Sequence, residues 1–150
     1  MAWGGAWAPS FAVANSVLLR PSFAQDKITL RSQDGVTRTL RVELARTPHE
    51  VSYGLMYIPD MPGTDGMLFR LPGLGRYSFW MKNTVMPLDI IFLDEKGAVV
   101  NQYNNTTPFS TDYLFSAGAA LMVLEVKAGM AKKWGIGKGA TITPPPGFLP

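Results

Sequence analysis

Residues 79–89 read FWMKNTVMPLD and gather five kinds of chemistry into eleven positions. Trp80 offers an aromatic plate, Lys82 an ammonium, Asn83 an amide, Thr84 a hydroxyl and Asp89 a carboxylate. Small polar ligands are held by such sets, in which a ring gives contact area and a few polar groups fix orientation. Side chains alternate along a strand. Ser78, Trp80 and Lys82 therefore share one face and Tyr77, Phe79 and Met81 the other, the second being the expected core face. The same residues have a plainer reading, with Trp80 in the core, Lys82–Asp89 as a structural ion pair, and Asn83 and Thr84 as ordinary turn residues.

Glu125 raises a different possibility. It lies inside ALMVLEV, where a carboxylate among apolar neighbours must be paired or have its pKa raised. Lys82 is its expected partner. Asp89 with Glu125, or with Glu43, could instead supply the acid and base of a hydrolase, with Lys82 stabilising charge. Glycoside hydrolysis by such a pair requires two carboxyls about 5–10 Å apart across a cleft. His49 is the sole histidine and cysteine is absent, so thiol catalysis, zinc–thiolate sites and disulfides are excluded. An ordinary zinc or Ser-His-Asp site would have to be built around His49, which the sequence places on the surface of a first helical turn. No metal and no cofactor is expected. Eight methionines could suggest Cu(I), but Met67, Met81 and Met122 fall in apolar strands where methionine is good filler. Residues 135–139, GIGKG, lack P-loop spacing and read as a turn.

The elements that must position these groups are short. Alternation in TLRVEL, residues 39–44, predicts a half-buried strand, paired through Gln33-Asp34-Gly35 with residues 27–31. Thr47-Pro48-His49-Glu50 is a capping box with proline at the first helical position, which predicts one short helix over residues 48–56. Further strands are expected at 67–71, 77–82, 88–94, 98–103, 120–126 and 140–143. Glu95-Lys96-Gly97 marks a hairpin, residues 104–116 a long polar loop, and residues 130–134 one helical turn. Fifteen glycines and twelve prolines in 150 residues suit turns between strands better than long helices. The fold class is mainly β, an antiparallel β-sandwich or barrel-like domain with one short α-helix.

The sequence divides into residues 1–24, a signal peptide or N-terminal arm, a single β domain over 25–143 and a proline-rich tail over 144–150. Residues 1–24 carry Trp3, Trp7, Phe11, Val13, Val17, Leu18 and Leu19 with one charge, Arg20. Ser22-Phe23-Ala24 has the small residues of a signal-peptidase site, so export to the periplasm or beyond is the expectation. The apolar run is too short and broken for an integral membrane span. The formal charge of +3 is spread over scattered basic residues, among them Arg31, Arg38, Arg41, Arg46, Arg70 and Arg76, so nucleic acid is not an expected partner.

Five segments fall in order at matching spacings: Gly54-Leu55-Met56, Gly66-Met67-Leu68-Phe69, the FWMKNT run, Pro87-Leu88-Asp89-Ile90 and Val123-Leu124-Glu125-Val126. Over residues 28–142 the chain resembles the bacterial and archaeal family catalogued as domain of unknown function 192. The resemblance implies a compact β-sandwich-like domain, often behind a signal peptide, with no established activity. It also implies that Trp80, Lys82, Asn83, Thr84 and Asp89 lie in the family's characteristic motif. The family pattern usually has an arginine shortly after Gly-Leu-Met, where this chain reads Tyr57-Ile58-Pro59; an anion site built on that arginine would be weakened here. Three functions remain open: a small polar or saccharide-like ligand bound at Trp80, Lys82, Asn83, Thr84, Asp89 and Glu125; a structural or interaction domain; and a hydrolase using Asp89 and Glu125.

Overall fold

A computed structural model describes residues 19–150. The expected leader lies mostly outside the described residues. The mainly β expectation holds, in the form of one mixed sheet. In chain order the elements are β1 (Ala24–Arg31), β2 (Thr37–Ala45), α1 (Pro48–Tyr53), β3 (Gly66–Gly75), β4 (Ser78–Phe79), β5 (Leu88–Leu93), β6 (Val99–Tyr103), β7 (Leu114–Phe115), β8 (Ala120–Lys127), α2 (Met130–Lys133) and β9 (Thr141–Thr143). Seven strands form the sheet in the order β6-β5-β8-β3-β2-β1-β9, and β4 with β7 forms a two-stranded ribbon.

All pairings in the large sheet are antiparallel except β2–β3. A parallel pair cannot be joined by a tight turn, and α1 with the loop after it supplies the crossover. The helix starts where the capping box places it. Thr47 Oγ1 accepts the Glu50 amide at 3.2 Å, and the Glu50 carboxylate accepts the Thr47 amide at 3.1 Å. Gly54 caps it after Tyr53, three residues short of the expected end at Met56.

The sheet has an apolar cluster on each face. Face one carries Met67, Phe69, Leu88, Ile90, Phe92 and Val123, covered by Val51 and Leu55 around α1 and by Met61, Phe79, Met81 and Met86. Face two carries Val42, Leu44, Leu68, Ile91, Leu93, Leu124 and Val126, covered by Ala131 and Trp134 of the α2 region and by Phe148. The tail is thus seated: Phe148 is buried, and its carbonyl accepts from Arg70 Nη1 at 3.0 Å.

The sheet curls toward its own far edge without closing into a barrel. A single bridge joins Ala98 to Thr141, and the Ile142 amide donates to the Gly97 carbonyl at 2.8 Å. At the N-terminal side the ordered domain begins before the expected cut. Ala24 already pairs with Leu44 in β1, and Phe23 is buried in the face-one core.

Candidate functional site

Parity holds for four of the six residues; Ser78 is buried, Tyr77 is only partly so, and the strand itself is cut to Ser78–Phe79. Phe79 and Met81 are buried on the core side, while Trp80 is half-buried and Lys82 exposed. Lys82 Nζ sits 5.1 Å from the Trp80 ring centroid, a cation–π distance. Tyr113 stacks on the indole with centroids 5.6 Å apart and planes 13° from parallel, and Phe115 packs edge-on against Tyr113 at 6.0 Å. Tyr113 and Phe115 are exposed, as is Phe109, whose amide donates to the Thr84 carbonyl. These aromatics come from the segment read as a polar loop. The signal was present in FSTDYLF, residues 109–115, where three aromatic rings interrupt an otherwise polar run.

The turn residues are committed to the backbone. Asn83 holds a left-handed conformation, φ 55°, and its carbonyl accepts the Tyr57 amide at 2.9 Å. Thr84 is fully buried, and its hydroxyl donates to the Lys82 carbonyl at 3.1 Å.

Asp89 does not face Lys82. It pairs across the sheet with Val126 of the face-two core, and its neighbours Leu88 and Ile90 point to face one. Buried there, it accepts three backbone amides: Asn105 at 2.8 Å through Oδ1, and Gly129 at 3.0 Å and Ala131 at 2.9 Å through Oδ2. A carboxylate satisfied by three N–H groups fixes structure and has little left for a ligand.

Glu125 points the opposite way. It lies opposite Met67 on one side and Ile90 on the other, both in the face-one core. It is fully buried and neither carboxylate oxygen has a hydrogen-bond partner. Burial pushes its pKa up to about 8, so the group is a neutral acid at pH 7. The expected Lys82 partner is absent. Among the described residues the ion pairs are Arg20–Glu43 and Lys127–Asp60. With Asp89 and Glu125 on opposite faces of one sheet, the two cannot flank a single scissile bond. The acid–base pair is therefore corrected by register.

A second polar site borders the first. Glu43 of β2 stands in register with Met67 and hence in one row with Glu125, two strands away, a backbone separation of about 10 Å. Its two oxygens receive Arg20 fork-to-fork, Nη1 at 3.0 Å and Nη2 at 2.7 Å. Arg20 also lies over the Phe23 ring, 4.6 Å from the centroid. Together with Gln25, Ile58, Asp60, Met61, Pro62 and Thr64 the pair lines a cleft of about 230 Å³. At Ile58, near the arginine the family pattern led one to expect, the chain presents an apolar wall, and the guanidinium in the same cleft is Arg20.

Tyr53 links the two sites. It packs with Met56 and Trp80, and its hydroxyl has a pKa raised by burial and by Tyr57, with the charge of Arg20 pulling it back down. Asp60, at the cleft rim, is held below the usual carboxylate range by a hydrogen bond from Lys127, by the Met61 amide and by the Lys127 charge. The Trp80 Nε1 is buried with no acceptor. A buried donor left unpaired costs about 1–3 kcal/mol.

A curled mixed sheet with a core on each face and a strip of polar and aromatic groups along one margin defines a small mainly β protein. The chain belongs to the DUF192 family, described as Uncharacterized ACR, whose model matches residues 29–144. Its solved neighbours include a putative transcription regulator from Sinorhizobium meliloti, 34% identical, with TM-score 0.77 over 81% of this chain and 95% of that one. A protein of unknown function from Novosphingobium aromaticivorans is 33% identical, with TM-score 0.71 over 85% of this chain and 94% of that one. No curated protein matches the chain.

Proposed function

We propose that this chain is an exported binding module that holds a small polar, saccharide-like ligand at the surface made by Trp80, Lys82 and Tyr113. The observation that carries the reading is the aromatic stack with an ammonium 5.1 Å from the indole, beside exposed Phe115 and Phe109. Flat rings supply contact area at low conformational cost, and a nearby cation and amide give orientation. Asn83, half-buried beside Lys82, is the adjoining polar group. Asp89, Thr84 and Glu125 are buried and take no part in this contact surface. A regulator's role is not carried over from the Sinorhizobium neighbour, because the basic side chains are dispersed over several elements.

The test is a calorimetric and thermal-shift screen of sugars, organic acids and nucleotides on wild type, Trp80→Ala, Tyr113→Ala and Lys82→Ala. We expect a saccharide or similar polyol to bind wild type, with affinity lowered at least tenfold in the Tyr113 and Lys82 variants at unchanged circular dichroism. Undiminished binding in both variants would sink the assignment. Export is tested by N-terminal sequencing of the chain recovered from the periplasm. Because Phe23 is in the core and Arg20 is bound to Glu43, we expect a mature terminus upstream of Arg20 rather than after Ala24.

A further inference from the structure

The cleft beside Glu43 is built like a receptor for a cation that the chain supplies to itself. Its carboxylate is nine-tenths buried, on the margin of face one, and both oxygens are spent on one guanidinium. The rest of the wall matches what a guanidinium on an aliphatic stem needs. Ile58, Met61 and Pro62 form an apolar side, Asp60 adds a second carboxylate, and Gln25 and Thr64 add polar groups. The Phe23 ring lies 4.6 Å from the bound guanidinium carbon. Fork-to-fork pairing with a carboxylate and stacking on a ring are the two contacts that distinguish guanidinium from ammonium.

Arg20 is held in the site by its side chain, through Glu43 and the Phe23 ring. It precedes β1 by four positions, and Leu19 before it is exposed. Among the described residues its hydrogen bonds go to Glu43 alone. A group tethered by a short segment acts like a ligand at an effective concentration in the millimolar range or above. An external guanidinium can therefore compete once it reaches similar levels, or once the arm carrying Arg20 is drawn away.

We propose that the Glu43 cleft is a binding site for an alkylguanidinium ligand, occupied in cis by Arg20. This site does not depend on the Trp80 surface. Its ligand class is set by the buried carboxylate fork, the ring and the apolar wall, and the cleft volume suits a free small molecule. The arginine side chain of a peptide presents the same chemistry.

The experiment uses the full chain as wild type, Arg20→Ala and Arg20→Ala/Glu43→Gln, titrated with N-ethylguanidinium and followed by amide chemical shifts at Gln25, Glu43 and Ile58. A second arm uses a tetrapeptide with one internal arginine. The single variant is expected to bind the small probe saturably and at least tenfold more tightly than wild type, with binding lost in the double variant. If the small probe binds and the peptide does not, the ligand is a free guanidino compound; binding of both, or of the peptide alone, assigns the site to a partner's arginine. A folded single variant that binds neither probe overturns the proposal, and so does equal binding by the double variant. Should the alanine variant fail to fold, Arg20→Lys retains a cation but not the fork. It should yield to N-ethylguanidinium at lower concentration than wild type, and an equal response refutes the site.

Discussion

Glu125 is held as a neutral acid inside an apolar layer, and the protein's response to pH should report it. The folded group keeps its proton up to about pH 8, whereas in the unfolded chain it ionises near 4.5. Its folded pKa is therefore raised. The contribution to stability is fully present below pH 4.5 and is lost as pH rises through 8, at roughly 1.4 kcal/mol per pH unit between the two. Urea denaturation at pH 5, 6.5 and 8 should show wild type losing a few kcal/mol across that window. Glu125→Gln, which cannot ionise, should lose much less and be the more stable protein at pH 8. Equal slopes would mean that Glu125 is ionised and paired in solution. The residue scale is also where the sequence was hardest to read. Asp89 read as a site carboxylate and Glu125 as one among apolar neighbours, but two carboxylates on different strands share a face only through register. The Asp89–Val126 pairing that sets them apart is a long-range contact no local pattern carries. Arg20 was missed because a lone arginine closing an apolar arm looks the same whether the arm is discarded or docked.

At the level of elements, Asp89 acts as a pin. Its carboxylate ties β5 to the start of α2 and to the chain after β6, so the three segments are ordered together. Asp89→Ala strands three amides and should cost about 3 kcal/mol or more, seen as a large drop in denaturation midpoint. Lys82→Ala, on the exposed side of the same motif, should stay within about 0.5 kcal/mol of wild type. Similar losses in both would tie Lys82 to the fold rather than to a ligand. For α1, Thr47→Ala removes the side-chain half of the capping box and should cost about 1 kcal/mol by thermal melt. This helix was legible because a capping box is complete within four residues. The strands were legible from alternation and turn residues, as in TLRVEL and EKG. The ribbon of β4 and β7 was not, since two-residue strands 35 positions apart have no periodicity of their own. The sequence placed a full strand at 77–82, of which only Ser78–Phe79 is strand. In the large sheet β3 takes β2 and β8 as its partners.

For the molecule as a whole, the decisive contact is the one between the sheet's far edges. Gly97 has φ 77° in the β5–β6 hairpin, and a Cβ there would stand 1.9 Å from the Ile142 carbonyl oxygen. Gly97→Ala should therefore unseat β9 from the hairpin at a cost on the order of 3 kcal/mol, with the Ile142 amide losing its protection from hydrogen exchange. An unchanged Ile142 amide in a folded variant would show that the seam is not held by this contact. The seam also governs how the chain meets its own kind. A curled sheet that stops short of closure normally leaves two rows of open amides and carbonyls, each a template for another strand. Along one margin the side chains of Asn101 and Tyr103 both donate to the Phe115 carbonyl and hold that segment beside β6. The other margin is a three-residue strand followed at once by three prolines, which have no amide to offer. On that side a neighbouring copy meets a ladder of three residues that ends where the amides end.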